Sequence, residues 1–311
     1  MPKDHFVPRF YLKHFELDGA FWVHDKTLGK SWQSNHAQTA KIEDFYTFAE
    51  ESGKLNSDIE KQLSELEGRH AEVVRRVVQS EGLPGDKETR ADLLHLVAFQ
   101  YLRTPAQANI TRTALEAGAE AMLESISNDP KIISDYLKEH PDETPESFRV
   151  GVMSGRFVLN RGVHVVKTVE QAETIHRILA KKQGMAVIKC SENMEYWTSD
   201  TPVNVWWQTA PDRVKLGGIA QPSAEIWYPL TRKLGLYIGP PTPFEAGVPR
   251  EFFCKTMNER ILWDADRIVV SSTRSPELTQ RAKQCQFPGP RVNRGILLTE
   301  ARTKFQTEGL R

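Results

Sequence analysis

The stretch from residue 57 to residue 80, SDIEKQLSELEGRHAEVVRRVVQS, decides the helical half of the fold. Ser57 and Glu60 match the capping box, in which each of the two side chains accepts a hydrogen bond from a backbone amide at the start of the helix. Apolar residues then recur at helical spacing up to about Gln79, namely Ile59, Leu63, Leu66, Val73 and Val77. The stretch therefore predicts one long amphipathic helix.

Further helices are predicted after this one. A Gly-Leu-Pro-Gly break at 82–85 precedes a second helix at 87–103, which ends there because Pro105 disfavours helical backbone at the residue before it. A third, alanine-rich helix is predicted at about 106–127. The other predicted boundaries are a helix start at Thr144-Pro145, a helix from a capping box at Thr168 to a stop at Gly184, and a start at Ser275-Pro276.

Extended segments lie mainly at the two ends of the chain. They are rich in aromatic and β-branched residues and are predicted at 21–26, 42–48, 185–190, 196–198, 226–229, 234–238 and 267–272. Because helices and strands come in blocks, the pattern favours an α+β fold, with an N-terminal and central helical layer packed on a mostly antiparallel sheet formed largely by the C-terminal half. We expect a single domain over 1–290 and a polar C-terminal tail over 291–311.

Composition limits the classes of function. The 41 Lys and Arg residues balance the 41 Asp and Glu residues, so a nucleic-acid partner is permitted but no basic field indicates it. The three cysteines are widely spaced, which excludes a disulfide framework, and Cys254 is predicted to be a packed thiol. No signal segment or membrane span is apparent, so we expect a cytoplasmic protein without membrane contact.

Two polar segments stand out in the first third of the chain. His5 precedes an extended Val-Pro step, and its imidazole is either a base, proton shuttle or metal ligand, or a hydrogen-bonded structural group. Gln100 and Arg103 continue the apolar stripe of the second helix, so the guanidinium points toward the core. A buried cation needs a partner, which is either an internal carboxylate or an anionic ligand.

Two more segments offer carboxylates. Asp200 follows a strand among small hydroxyl residues, a pattern typical of a turn that bonds its own backbone and equally of a carboxylate presented for acid–base or metal chemistry. Glu67 and His70 lie one helical step apart beside the apolar stripe, as metal ligands do and as salt bridges do. The candidates for a divalent metal are therefore Glu67, His70 and Asp200. Phosphate-binding, dinucleotide-binding and nucleophile-elbow motifs are absent from the sequence.

The same segments carry a resemblance to a known family. The motifs, in chain order, are His5-x-Val7-Pro8-x-x-Tyr11-Leu12-x-x-Phe15, Gln100-x-x-Arg103-Thr104-Pro105, Thr198-Ser199-Asp200-x-Pro202-Val203, Tyr228-Pro229-Leu230-Thr231, and Asn258 ahead of Ala265-x-Arg267. Together they resemble the bacterial family catalogued as domain of unknown function 4238, from His5 to about Ser272. The resemblance implies one domain and no established activity. It marks His5, Gln100, Arg103, Asp200 and Asn258, and departs at Thr201, where the family often has Asn.

Two functional hypotheses follow from these residues. In the first, the chain is a hydrolase of a phosphodiester or other anionic substrate, a nuclease-like effector. His5 and Asp200 would then do acid–base or metal chemistry, and Arg103 would hold negative charge. The substrate-binding candidates are Gln100, Thr104, Ser199, Asn258 and Arg9. In the second, the same residues bind an anion or nucleotide without turnover, or form a purely structural buried network.

Overall fold

The computed structural model describes residues 3–43, 58–154, 162–207, 218–241, 250–285, 298–299 and 301–304. It has the predicted α+β class, since helices are combined with antiparallel sheets. Two compact units are distinguished, one of residues 1–107 with 165–290, the other of residues 108–164 with 291–311. The single domain over 1–290, with its tail, stays a prediction.

The N-terminal residues form short strands around one helical turn. These elements are β1 (Lys3–His5), α1 (Arg9–Lys13), β2 (Phe21–Asp25), β3 (Lys30–Ser34) and β4 (Lys41–Glu43). The strand predicted at 21–26 is confirmed as β2. The segment predicted at 42–48 overlaps β4, and its remainder lies outside the described residues. Helix α1 was not predicted, because its single turn is too short to show a helical period.

The central helices follow the predicted order. They are α2 (Asp58–Ser80), α3 (Lys87–Leu102), α4 (Pro105–Asn128), α5 (Pro130–Glu139) and α6 (Pro145–Met153). The long helix is confirmed, while Ser57 of its capping box lies outside the described residues. Helix α5 was missed because Asn-Asp-Pro resembled an interruption. In fact the Asp129 side chain accepts from the amides of Lys131 and Ile132, which makes it the cap of α5.

The helix predicted to begin at Thr168 has a different start. Helix α7 runs over Gly162–Leu179, so the apparent capping box lies inside it, and the predicted start was wrong. Gly184 is the first residue of the next strand, so it does not end the helix. The S/T-x-x-E/Q pattern also occurs in helix interiors, where the backbone amides already have helical partners.

Two four-stranded antiparallel sheets and the two-stranded sheet of β1 and β4 are described in the larger unit. The C-terminal strands are β5 (Gly184–Lys189), β6 (Thr198–Ser199), β7 (Asn204–Trp207), β8 (Ala224–Pro229), β9 (Leu234–Gly239) and β10 (Ile268–Ser271). One four-stranded sheet has the order β5-β9-β8-β7, and in it the strands predicted at 226–229 and 234–238 pair as β8 and β9. The other, β3-β2-β10-β6, joins strands from both ends of the chain.

Two helices accompany the C-terminal strands. Helix α9 (Pro276–Gln284) begins after the Ser275 cap, as predicted, whereas α8 (Arg250–Asp264) was missed. Cys254 lies on α8 and forms a disulfide with Cys190, so its prediction as a free packed thiol was wrong. The two cysteines are 64 positions apart, and no local pattern signals such a pair. Within the described residues, no helix is both long and apolar enough to cross a membrane.

The N-terminal segment is part of the largest apolar core. Phe6, Val7 and Tyr11 are buried there together with residues of α2, α3, β8 and β9. A second core surrounds α8 and includes Trp227. Since Phe6, Val7 and Pro8 directly after it are buried, the backbone at His5 is held at the surface of the first core.

Candidate functional site

His5 is positioned by the backbone on both of its sides. It is the last residue of β1 and pairs with Lys41 of β4. The next residue, Phe6, donates its amide to the carbonyl of Ala40, at 3.1 Å. Pro8 then precedes α1, whose Tyr11 and Leu12 are buried. Arg9, the first residue of that helix, is exposed. The backbone at His5 is therefore fixed by main-chain contacts that do not use the imidazole.

Arg103 is almost fully buried and has protein partners. Its side chain is 2% exposed, and Nη1 donates to Oε1 of Glu67 at 2.7 Å. Nη2 donates to the backbone carbonyl of His5 at 2.6 Å. The guanidinium also lies over the ring of Phe99, 5.2 Å from its centroid. Of the two predicted kinds of partner, the structure contains the internal carboxylate, and the ion pair ties α2 and α3 to β1.

Gln100 and Tyr228 lie in the same region. Gln100 is fully buried and donates Nε2 to the carbonyl of Phe6 at 3.3 Å. Tyr228 stacks on Tyr11 with ring centroids 5.0 Å apart. Burial raises the pKa of the Tyr228 hydroxyl well above its ordinary value, and the nearby Arg103 guanidinium lowers it in part. We call the side chains of His5, Glu67, Gln100, Arg103 and Tyr228 the N-terminal cluster.

Three polar atoms of the N-terminal cluster are buried without a hydrogen-bond partner among the described residues. They are Nε2 of His5, Oε1 of Gln100 and the hydroxyl oxygen of Tyr228. By contrast, the hydroxyl of Tyr11 contacts both Thr198 Oγ1 and the carbonyl of Pro229, each at 2.7 Å. Most buried polar atoms in folded proteins are paired, so three unpaired atoms around one guanidinium need an explanation.

The surroundings of His5 keep its imidazole neutral. Burial is the largest of the effects that lower the pKa of His5, and the charges of Arg9 and Lys41 lower it further. The backbone of Ala37 and the charge of Glu67 act to raise this pKa. In the tautomer that carries its proton on Nδ1, no described residue donates a hydrogen bond to Nε2. Nε2 is then left with its lone pair, which is the form required of a general base or a metal ligand.

The carboxylate of Asp200 accepts hydrogen bonds from three backbone amides, those of residues 266–268. Oδ1 accepts from the amide of Asp266 at 3.0 Å, and Oδ2 accepts from the amides of Arg267 and Ile268 at 2.8 and 3.0 Å. Burial raises its pKa to about 7, although these backbone bonds act to lower it. We call Asp200 with residues 266–268 the Asp200 turn. The carboxylate thus bonds backbone amides 66 to 68 positions further along the chain, which differs from both predicted alternatives, a turn that bonds its own backbone and a carboxylate presented for chemistry.

Neighbouring residues of this segment bond locally as well. Ser199 Oγ accepts from the amide of Thr201 at 3.1 Å, as expected of a short hydroxyl turn. Thr201 Oγ1 and Asn204 Oδ1 are buried and have no hydrogen-bond partner among the described residues. The position where the family often has Asn therefore has an unsatisfied hydroxyl in this chain.

Asn258 and Thr104 also bond to nearby backbone. The Asn258 amide donates to the carbonyl of Glu195 and accepts from the amide of Trp197, both at 2.8 Å, so it ties α8 to the segment before β6. Thr104 Oγ1 accepts from the amide of Gln107 at 3.3 Å, at the start of α4. Their polar side chains therefore have structural partners.

The three metal candidates engage other groups. Glu67 pairs with Arg103, Asp200 with the three backbone amides, and His70 Nε2 lies 3.0 Å from Nδ1 of His95. Burial lowers the pKa of His70 to about 3. Within the described ranges, no three His, Cys, Asp or Glu side chains are arranged to hold a metal ion.

Sequence analysis missed two residues that the structure brings forward. Tyr228 stood in a motif of the resemblance but was interpreted as part of a strand end, since a strand position does not show whether a hydroxyl finds a partner. His95 lies on the same face of α3 as Asp92. Its contact with His70 could be found only from the way in which α2 packs against α3. A three-residue spacing of acid and His on both helices was the available signal.

The comparisons with known proteins yield a family and nothing finer. A family model described as "Protein of unknown function (DUF4238)" matches residues 3–275. Neither the curated proteins nor the solved structures contain a significant match to the chain.

Proposed function

The chain belongs to the DUF4238 family of proteins of unknown function, and we propose that it binds a small anionic ligand at the N-terminal cluster. The observation that carries the proposal is the set of three buried, unpartnered polar atoms on His5, Gln100 and Tyr228. Burying such a group without a partner costs roughly 1–3 kcal/mol. His5 Nε2 and Gln100 Oε1 need a donor and the Tyr228 hydroxyl can donate, so an anion that also carries hydroxyl groups, such as a hydrogen phosphate, would supply the missing partners of all three.

The charges near His5 favour an anion. Arg9 and Lys41 act on the imidazole with positive charge, and Glu67 acts on it with negative charge. Arg103, which pairs with Glu67, is the third cation of this region. The balance of these four side chains is positive, although the chain as a whole has a formal charge of zero. A local positive potential attracts an anion independently of the net charge.

The finer form of the proposal is hydrolysis of a phosphodiester or another anionic ester. His5 is its general base, because its imidazole is neutral and Nε2 has a free lone pair. It would take the proton of the attacking water, while Arg103 stabilises the negative charge that develops on the substrate. In this proposal Asp200 and Asn258 hold the fold around the site and do not touch the substrate. A nucleic acid is one substrate of this chemical class.

Binding is tested by thermal unfolding with inorganic phosphate and with a mononucleotide, each against sodium chloride of equal ionic strength. We expect both to raise the unfolding temperature of the wild-type chain, because a ligand of the folded state stabilises it. The variant His5→Asn should lose this response. His36→Asn is the matched control, since His36 is a half-buried imidazole of the same region that already pairs with Glu16.

Two outcomes would count against binding. Either no probe stabilises the wild-type chain, or His5→Asn responds as fully as His36→Asn does. In both cases the N-terminal cluster is the structural network that forms the alternative hypothesis.

Hydrolysis is tested separately with bis(p-nitrophenyl) phosphate, with and without added divalent ions and EDTA. We expect His5→Asn to abolish turnover and His36→Asn to leave it intact. The wild-type rate should fall as pH drops below 6.5, because protonation removes the lone pair of the base. If nitrophenolate release never exceeds that of buffer while phosphate still stabilises the fold, the protein binds without turnover.

A further inference from the structure

Three helices of the larger unit each carry an acidic residue three positions before a histidine. The pairs are Glu67 and His70 on α2, Asp92 and His95 on α3, and Glu173 and His176 on α7. Residues three apart share one face of a helix. Leu63 of α2, Phe99 of α3 and Ala172 of α7 belong to one apolar cluster, so the three helices pack together.

The three imidazoles meet between these helices. Nε2 of His70 lies 3.0 Å from Nδ1 of His95. The ring centroids of His95 and His176 are 6.0 Å apart, with an angle of 68° between the rings. Burial lowers the pKa of His95, whereas the carboxylates of Glu173 and Asp92 act to raise it, so both carboxylates lie near this ring.

Several ring nitrogens of this group are unsatisfied. Nδ1 of His70 and both ring nitrogens of His176 are buried without a hydrogen-bond partner among the described residues. His70 itself is 2% exposed. The nearest Glu173 oxygen is 3.9 Å from Nδ1 of His176, which is too long for a hydrogen bond. Unpaired imidazole nitrogens next to a carboxylate are the donors that a transition-metal ion uses.

We propose that His95, His176 and Glu173 form a binding site for a divalent transition-metal ion of the zinc class. Since Nδ1 of His95 faces His70, its Nε2 is the nitrogen left for the ion. His70 is then a positioning residue, because a hydrogen bond to the second nitrogen of a metal-bound imidazole fixes its tautomer and its direction. Two imidazoles and one carboxylate leave open coordination positions for water or a substrate.

The geometry is close to that of a loaded site. With zinc–nitrogen bonds of about 2.0–2.1 Å, the centroids of two imidazoles on one tetrahedral ion lie roughly 5 Å apart. The present separation is 6.0 Å, so the rings need to approach by about 1 Å. In the part of the chain that the structure describes, no three His, Cys, Asp or Glu side chains already lie within bonding distance of one ion position. Binding therefore requires small rotations of the Glu173 and His176 side chains.

The test is calorimetric titration of the EDTA-treated full chain with ZnCl2, with CoCl2 as the spectroscopic substitute. We expect one zinc ion per chain at this site and visible cobalt absorption typical of nitrogen and oxygen ligands. His95→Gln and His176→Gln should abolish both signals. His70→Phe keeps the ring shape and should weaken zinc binding by about 10- to 100-fold, as removal of an orienting partner does. The controls are His36→Gln and His140→Gln, which should bind as the wild type does.

A second measurement keeps the proposal testable if a variant fails to fold. Diethyl pyrocarbonate modifies accessible imidazoles, and mass spectrometry locates the products on the wild-type chain. We expect ZnCl2 to protect His95, whose side chain is half-buried, and to leave His36 unprotected. Absence of zinc binding overturns the proposal, as does binding that survives in the His95→Gln/His176→Gln double variant. Protection that is equal at all histidines also overturns it.

Discussion

The N-terminal cluster and the Asp200 turn are both buried polar groups assembled from distant segments, and they differ in how their hydrogen bonds are completed. Both oxygens of Asp200 accept from backbone amides, three in total. In the N-terminal cluster, His5, Gln100 and Tyr228 each retain a buried atom without a partner among the described residues. Burial of a polar side chain therefore does not by itself indicate a site. The count of unsatisfied donors and acceptors separates the two regions.

The difference has a simple source in the backbone. The residues at 266–268 lie at the start of β10, where successive amides have no earlier helical or strand partner, and one carboxylate can satisfy them together. The N-terminal cluster consists mainly of side chains from β1, α2, α3 and β8. Side chains rarely complete all of one another's hydrogen bonds, so donor and acceptor atoms are left that a ligand can pair with.

The largest expected effect is on the Asp200 turn. Asp200→Ala removes the acceptor of three buried amides, and we expect the free energy of unfolding to fall by about 4 kcal/mol. Asp200→Asn keeps one acceptor oxygen and should cost clearly less. Urea unfolding of the wild type and both variants measures the losses. If Asp200→Ala costs under about 1 kcal/mol, the turn is not held by this carboxylate, and the contrast between the two regions fails.

A somewhat smaller loss is expected in the N-terminal cluster. Arg103→Met leaves Glu67 without its cation and the His5 carbonyl without its donor, which should lower the free energy of unfolding by about 3 kcal/mol. Glu67 is 32% exposed and can regain water, so the cost should stay below that of Asp200→Ala. The double variant with Glu67→Gln should recover part of the loss, as measured by a double-mutant cycle. Strict additivity of the two single losses would show that the ion pair contributes nothing.

The dependence of stability on pH sharpens the comparison. Burial raises the pKa of Asp200 to about 7, so the folded chain holds this proton more tightly than the unfolded chain does. Its contribution to stability is therefore present below about pH 4 and is lost as pH rises toward 7. The wild type should lose about 2 kcal/mol relative to Asp200→Asn between about pH 5 and 7.5 in urea unfolding. His5 has the opposite sign, because its lowered pKa removes stability as pH falls below 6.5. If the free energy of unfolding changes with pH equally in the wild type and in Asp200→Asn, folding does not shift the pKa of Asp200.

The fold class and most element boundaries could be predicted because they depend on local patterns. Helix α6 begins after the predicted Thr144 cap, and the apolar periods of α2 and α3 lie within their own residues. One error arose where a local pattern had two meanings, since the T-x-x-Q pattern at Thr168 lies inside α7. The Cys190–Cys254 pair depends on tertiary contact alone.

The candidate site could be predicted only as a set of residue types. The helical stripe indicated that Arg103 points inward, and the structure places it there. Its partners could not be predicted, since Glu67 and the His5 carbonyl come from other segments of the chain. For Asp200 and for His5, a structural and a functional interpretation both remained open from the sequence. They separate only when the atoms that complete each hydrogen bond are known.

The smallest expected change in stability gives the sharpest test of the contrast. Gln100→Leu removes a buried, half-satisfied amide and keeps a side chain of similar size, so the free energy of unfolding should change by less than about 1 kcal/mol. The thermal response to inorganic phosphate should nevertheless be lost, because Gln100 is one of the three groups that await a partner. A matched Asn258→Leu change, in which both amide atoms already have backbone partners, should destabilise the fold by about 2 kcal/mol and keep the phosphate response. If Gln100→Leu proves as costly as Asn258→Leu, the amide of Gln100 is a structural brace like that of Asn258. The unpartnered atoms would then no longer distinguish the N-terminal cluster from the Asp200 turn.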